Sequence, residues 1–224
     1  MAYSKLKHSV THHAARVCQC AAFPIVWFVS NAFIPTTVHG HERLGEATGP
    51  TLDLANHVAF YDSFLLRLAT RWKTLPIRFM GVTSFRRPHL RILKSLGLVH
   101  AAYLLFGVFT IVPGRGLEKN TEIAKAILLN GGRVLIYPEG SINTTGGLLP
   151  FKQGAAVLAL ATGANVVPIA FHTKKSPLGA IGRDHTHIYI GQAFKPNSTV
   201  TENATRELRA ALEKSLEEIK EKLS

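Results

Sequence analysis

His57 and Asp62 stand five residues apart in the stretch Leu54-Ala55-Asn56-His57-Val58-Ala59-Phe60-Tyr61-Asp62-Ser63. An imidazole and a carboxylate can work as a pair. The carboxylate binds one ring nitrogen and fixes the tautomer, and the other nitrogen is left to take a proton from an incoming hydroxyl. The spacing sets a condition, because residues five apart in one helix lie about 140° apart around the cylinder and face different ways. The flanking sequence removes that obstacle. Thr51 to Ala55 reads as a short buried strand, and Phe64 to Ala69 carries the apolar periodicity of a helix. His57 then falls in the turn between them, with Asp62 or Ser63 in the first helical turn, where a carboxylate can reach the ring. The same residues also read as a helix cap beside a satisfied turn histidine, and short motifs match by chance.

A second stretch begins 75 residues beyond Asp62: Tyr137-Pro138-Glu139-Gly140-Ser141, followed by Leu148-Leu149-Pro150-Phe151-Lys152-Gln153-Gly154-Ala155. Val112-Pro113-Gly114-Arg115-Gly116 lies between the two stretches, and Val167-Pro168-Ile169 follows them. In this order they resemble the four blocks of the glycerolipid acyltransferases of the lysophosphatidate (1-acyl-glycerol-3-phosphate) O-acyltransferase type. Those blocks are N-H-x-x-x-x-D, an arginine block, F-P-E-G-T-R-S with L-P-F-K-x-G, and a strand with V-P-[IV]. The resemblance covers residues 36 to 195. It implies a glycerol-phosphate acyltransferase-like α/β fold. It also implies direct transfer of a fatty acyl group from acyl-CoA or acyl-carrier protein to a lysolipid hydroxyl, with no further cofactor and no metal. His57 would be the general base and Asp62 the group that orients it. Arg115, Glu139, Gly140, Ser141 and Lys152 would bind the acceptor and its phosphate. One departure matters. Ser141-Ile142-Asn143 stands where the family usually has T-R-S, so Ile142 removes a guanidinium whose charge-assisted contact is worth roughly 1.5–3 kcal/mol. The acceptor expected is 1-acyl-glycerol-3-phosphate, with other lysolipids as alternatives. The second block is also loose, since Pro113-Gly114 replaces the usual residues before its arginine.

Such a site needs a scaffold that brings distant turns to one edge. From Thr36 onward short apolar segments alternate with helical ones. Strands are expected at 37–39, 51–55, 77–82, 108–112, 133–137, 165–171 and 187–190. Helices are expected at 63–71, 88–96, 121–129, 153–162 and 201–223. Asn120 reads as an N-cap and Gly131-Gly132 as a terminator. This alternation predicts an α/β protein with a mostly parallel central sheet, helices on both faces, and the site at the strand ends. The last helix places Ala204, Leu208, Leu212, Leu216, Ile219 and Leu223 on one stripe. The chain divides into a basic tail with a membrane-associated segment, residues 1–35, and an acyltransferase domain, residues 36–224.

Charge narrows the partners. Lys and Arg number 26 against 14 Asp and Glu, and no acidic residue lies between Asp62 and Glu118. Such a surface attracts phosphates, but no zinc-ligand set or aromatic-studded strand points to nucleic acid. Lipid headgroups and cofactor phosphates remain. Ala21 to Pro35, with Phe23, Trp27, Phe28 and Phe33, falls short of the roughly 20 residues that span a bilayer. It reads as a helix or bent hairpin lying in one leaflet, or as a core helix. The uncharged run from Leu96 to Val112 is similarly short for a span. The predicted location is membrane-associated with the site facing the cytoplasm: the inner membrane in a bacterium, the endoplasmic reticulum or similar in a eukaryote. Cys18 and Cys20 are too close together for an ordinary bridge and read as reduced thiols. Three other activities fit some of these residues. They are a transacylase, a hydrolase using Ser63 or Ser141 outside any G-x-S-x-G motif, and a non-catalytic basic lipid binder.

Overall fold

The structure, a computed structural model, describes residues 2–59, 61–70, 74–82, 95, 97, 103, 106–112, 114–143, 145–175 and 184–223, and the side chains of these except 2–11 and 82. Its centre is a seven-stranded sheet. The strands are β1 (Thr36–His39), β2 (Thr51–Ala55), β3 (Ile77–Val82), β4 (Val108–Ile111), β5 (Arg133–Ile136), β6 (Asn165–Lys174) and β7 (His185–Ile190). Their order across the sheet is β1-β7-β6-β2-β5-β3-β4. β2 to β6 run parallel to one another, while β7 is antiparallel to β6 and carries β1 parallel to itself. The C-terminal ends of five strands therefore meet at one edge.

The helices are α1 (Ala2–Ala21), α2 (Phe23–Phe33), α3 (Asp62–Ala69), α4 (Leu117–Leu129), α5 (Gly154–Thr162) and α6 (Thr201–Leu223). Each face of the sheet has its own core. Leu52, Leu54, Val134, Ile136 and Val166 pack with the buried stripes of α4, α5 and α6. Ala55, Ile77, Leu135, Val167, Ile169 and Phe171 pack with Leu65, Leu66 and Ala69 of α3. All five residues of β2 are buried, as expected of a strand covered on both sides. Its one charge, Asp53, accepts two bonds from Arg133 of β5, from Nε at 2.7 Å and Nη2 at 2.6 Å.

The expected strands at 51–55 and 77–82 and the helix at 201–223 appear with those bounds. The helix expected at 88–96 lies outside the described residues apart from Ser95, as do six of the basic residues between Asp62 and Glu118: Arg71, Lys73, Arg86, Arg87, Arg91 and Lys94. Two expectations are corrected. Asn120 is not an N-cap: α4 starts a turn earlier, after Gly116. The Asn120 amide instead bonds the Val112 N–H and C=O, both at 3.0 Å, and ties α4 to the end of β4. The predicted basic tail is helical, consistent with a segment that holds no glycine or proline between Ala2 and Ala21. At the other end of α4 the terminator is as expected. Gly131 takes φ +76°, and the Gly131 and Gly132 N–H groups bond the Leu128 and Ile127 carbonyls, at 2.8 and 3.0 Å.

α1 and α2 form a kinked helix rather than a hairpin. Ala22 has helical dihedrals, and helical bonds from Ala22 N to Cys18 O and from Val26 N to Ala22 O cross the joint. Pro24, which has no N–H to donate, marks the break. Gln19 docks the pair on the sheet. Its amide donates to Ile77 O at 2.7 Å and accepts from Ile77 N at 3.1 Å, supplying the pairing that β3 lacks before β4 begins. Arg67 of α3 completes the joint, donating to Gln19 O at 2.6 Å with its guanidinium over the Phe23 ring. Among the described residues no helix is long and apolar enough to cross a membrane.

Candidate active site

β2 ends at Ala55 and α3 begins at Asp62, so the turn between them opens at the sheet edge where the parallel strands finish. Asn56 anchors the start of that turn. Its buried amide donates to Phe171 O at 2.9 Å and accepts from Phe171 N at 2.7 Å, continuing the β2–β6 ladder with a side chain. The next residue, His57, is thereby placed just beyond the strand.

Asp62 is fully buried at the first position of α3, where the helix N-terminus favours negative charge. Its Oδ2 accepts three bonds: from His57 Nδ1 at 2.9 Å, Val58 N at 2.8 Å and Ala59 N at 2.9 Å. Because a carboxylate can only accept, Nδ1 carries the hydrogen and Nε2 presents a lone pair. No described residue bonds Nε2, and the side chain is 19% exposed. Tyr137 lies against the imidazole, with ring centroids 4.1 Å apart and planes 16° apart. Its hydroxyl meets Ser63 Oγ at 2.8 Å. Burial pushes the Tyr137 phenol up, and the Asp62 charge adds to this, so it stays neutral.

The Tyr137–Leu149 segment wraps the same turn. Glu139 is buried, and both carboxylate oxygens point inward. Oε1 accepts from His57 N at 3.2 Å, and Oε2 accepts from Asn143 Nδ2 at 3.0 Å and Leu149 N at 2.8 Å. The carboxylate expected to meet the acceptor is thus spent on the protein's own N–H groups. Gly140 has φ +70°, and a Cβ there would collide with the Lys152 ammonium. Lys152 therefore lies directly over this glycine, while its own N–H bonds Pro138 O at 2.8 Å. Ser141 and Ile142 are exposed beside it. α6 secures the far end of the segment: Arg209 donates to Leu149 O at 2.8 Å and Leu148 O at 3.2 Å.

The structure brings His57, Asp62, Glu139, Gly140 and Lys152 together. It leaves Arg115 apart. That residue is exposed after β4, three strands from β2, or about 14 Å across the sheet. No described contact joins it to the others. Among the described residues neither Ser63 nor Ser141 bonds His57, and Ser63 Oγ instead meets the Tyr137 hydroxyl. Sequence reasoning gave no role to Asn56, Tyr137 or Asn143. Asn56 adjoins His57 in the motif, which was a usable signal. The parts played by Tyr137 and Asn143 depend on how a distant loop closes.

A cavity of about 40 Å³ lies between the N-terminal helices, α3 and β3, lined by Gln19, Val26, Ser63, Phe64, Leu75 and Phe79 among others. A second, of about 210 Å³, borders Asn56, Val58, Ala59, Asn143, His172 and Lys175. The first is almost wholly apolar and reaches the start of α3 at Ser63 and Phe64, whereas the second is mixed and borders the turn that carries His57.

Residues 35–172 match the family model described as Acyltransferase. The human 1-acyl-sn-glycerol-3-phosphate acyltransferase beta is 32% identical over 142 residues, 62% of this chain and 47% of that protein. The mouse 1-acyl-sn-glycerol-3-phosphate acyltransferase alpha is 35% identical over 137 residues, 57% of this chain and 44% of that one. The chain therefore spans less than half the length of these relatives. The crystal structure of the 1-acyl-sn-glycerophosphate acyltransferase PlsC from Thermotoga maritima superposes with a TM-score of 0.62 at 17% identity, over 97% of this chain and 83% of that one. That likeness concerns the fold.

Proposed function

The chain belongs to the glycerolipid acyltransferase family, and from that we propose that it transfers a fatty acyl group from a thioester donor to the hydroxyl of a lysolipid. The observation that carries this is the His57–Asp62 pair, with Nδ1 held at 2.9 Å and Nε2 open at the sheet edge. His57 Nε2 takes the hydroxyl proton as the acceptor oxygen attacks the thioester carbonyl carbon. The carbon–sulfur bond then breaks, the thiolate leaves, and the imidazolium returns its proton to it. Asp62 orients the ring and stabilises the imidazolium. A positioned base of this kind contributes on the order of 10² to 10⁴ in rate.

The proposed acceptor is 1-acyl-glycerol-3-phosphate, the substrate in the names of the relatives, and the donor acyl-CoA or acyl-carrier protein. Lys152, placed over Gly140, is a cation beside the site for an acceptor phosphate, while Arg115 lies at the same edge three strands away. The exposed Ile142 favours a second reading, in which the acceptor is a lysolipid without a bare phosphomonoester. We also propose attachment to a membrane surface with the site on the cytoplasmic side. Supporting this, Val17, Phe23, Ile25, Trp27, Phe28 and Phe33 expose their side chains on α1 and α2, and the chain carries a net charge of +12. The test is acyl-CoA consumption with and without lysophosphatidate. Transfer requires the acceptor. Free CoA released without it indicates a hydrolase, and no turnover indicates a lipid binder.

A further inference from the structure

Asp62 fixes which way the His57 ring points, but where the ring sits is set by the main chain that carries it. That main chain is held at both ends of one residue. His57 N–H donates to Glu139 Oε1 at 3.2 Å, and His57 C=O accepts from Asn143 N–H at 2.7 Å. Both partners belong to one five-residue segment, so its shape decides the position of the base. The segment is shaped in turn by the Asn143 side chain. Nδ2 donates to Glu139 Oε2 at 3.0 Å and to Gly147 O at 2.7 Å, and Oδ1 accepts from Thr145 N at 2.9 Å and Thr145 Oγ1 at 2.7 Å. The amide is 5% exposed and both its donor and acceptor atoms are engaged. A shorter side chain, such as serine, could not span from Glu139 to Gly147.

We propose that Asn143 is a positioning residue for the base: with Glu139 it clamps the main chain of His57, and it does so without touching substrate. The proposal rests on His57 being the base, as stated above. It separates two kinds of site residue. Lys152 faces outward and acts on acceptor binding. Asn143 and Glu139 face inward and act on the placement of Nε2, where a displacement of about 1 Å can cost on the order of 10² in rate.

The test uses the whole protein with oleoyl-CoA and lysophosphatidate, comparing Asn143→Ala, Asn143→Asp, Lys152→Ala and His57→Ala. Asn143→Ala lowers kcat by about ten-fold or more while the KM for lysophosphatidate stays within about two-fold of wild type. Lys152→Ala raises that KM. Asn143→Asp supplies a signature that a merely structural role would not produce. It sets a second carboxylate beside Glu139, and two such groups so close cannot both stay ionised without repulsion. At pH 8 the clamp opens. Near pH 6 a shared proton donates in place of the amide, and activity relative to wild type recovers by about three-fold or more. Circular dichroism and thermal melts at each pH accompany the assays. Wild-type kcat in Asn143→Ala, a loss confined to KM, or a pH-independent Asn143→Asp ratio each overturns the proposal. So does loss of a cooperative melt in both Asn143 variants, which makes the residue one of folding only. If His57→Ala stays active, the base assignment falls and the clamp with it. If His57→Ala is dead and Asn143→Ala is unimpaired, only the clamp falls.

Discussion

A single carboxylate oxygen, Asp62 Oδ2, gathers the His57 ring and two N–H groups of the turn behind it. Residue identities were enough to foresee the pair, because its partners lie within five positions and a strand-to-helix turn folds them together. They were not enough for Glu139. Sequence places it among acceptor contacts by resemblance, whereas folding turns both its oxygens inward onto N–H groups of His57, Asn143 and Leu149. Inward or outward is decided by loop closure, which local sequence does not encode. Ile142 is the opposite case, conspicuous in the sequence and exposed in the fold. Introducing a guanidinium there restores a phosphate donor beside Lys152. Ile142→Arg is expected to raise kcat/KM for lysophosphatidate relative to lysophosphatidylcholine by about ten-fold, the scale of one charge-assisted contact. The check is a competition assay with both acceptors. An unchanged ratio, with lysophosphatidate already far preferred by wild type, makes Ile142 neutral and assigns the phosphate to Lys152 and Arg115.

Among the elements, those with strong apolar patterns were legible: β2, β3 and α6 have the bounds their patterns predict. β6 and β7 were seen too short, because His172, Thr173, Lys174, His185 and Thr186 are polar residues that give no apolar pattern at the strand ends, although Thr186 is buried. Three of those residues, His172, Lys174 and His185, adjoin a cluster of histidines. His187 faces His172 across β6 and β7, stacks on His185 with centroids 4.4 Å apart, and its Nδ1 lies 3.3 Å from Nε2 of His39 on β1. Burial, then the neighbouring His185, His39, His172 and Lys174, lowers His187 from 6.5 to about 4. His39 and His172 are also lowered, first by burial and then by cations that include Lys222 and Lys220 from α6. The unfolded chain therefore binds more protons than the folded one between about pH 6.5 and pH 4. Stability rises with pH through that window and is lost as pH falls through it. Differential scanning calorimetry should show Tm dropping by about 5 °C from pH 7 to pH 4.5. His187→Gln, which removes the most strongly shifted group, should flatten the slope. An equally steep slope in that variant contradicts the assignment.

At the scale of the whole molecule, the kinked α1–α2 helix packs one side on α3 and β3 and leaves Ile25, Trp27, Phe28 and Phe33 exposed. Such a patch on a chain of net charge +12 suits an anionic bilayer surface. Replacing Trp27 and Phe28 together by glutamate is expected to weaken binding to phosphatidylcholine–phosphatidylglycerol vesicles by about ten-fold or more, since each large side chain buried in lipid is worth roughly 1.5–3 kcal/mol. Co-sedimentation measures it, and undiminished binding would place the contact elsewhere. The sequence marked this segment as apolar and bent, since Pro24 interrupts it, but not its seat on the sheet, which Gln19 and Arg67 make with distant residues. Everything proposed for the molecule converges on the open nitrogen of His57. The most direct measurement is acceptor-dependent CoA release from oleoyl-CoA and lysophosphatidate, comparing wild type with His57→Ala. The account predicts turnover that requires lysophosphatidate in the wild type and falls by at least about 10² in the variant, with an unchanged melting profile. Turnover by His57→Ala within about three-fold of wild type would contradict it.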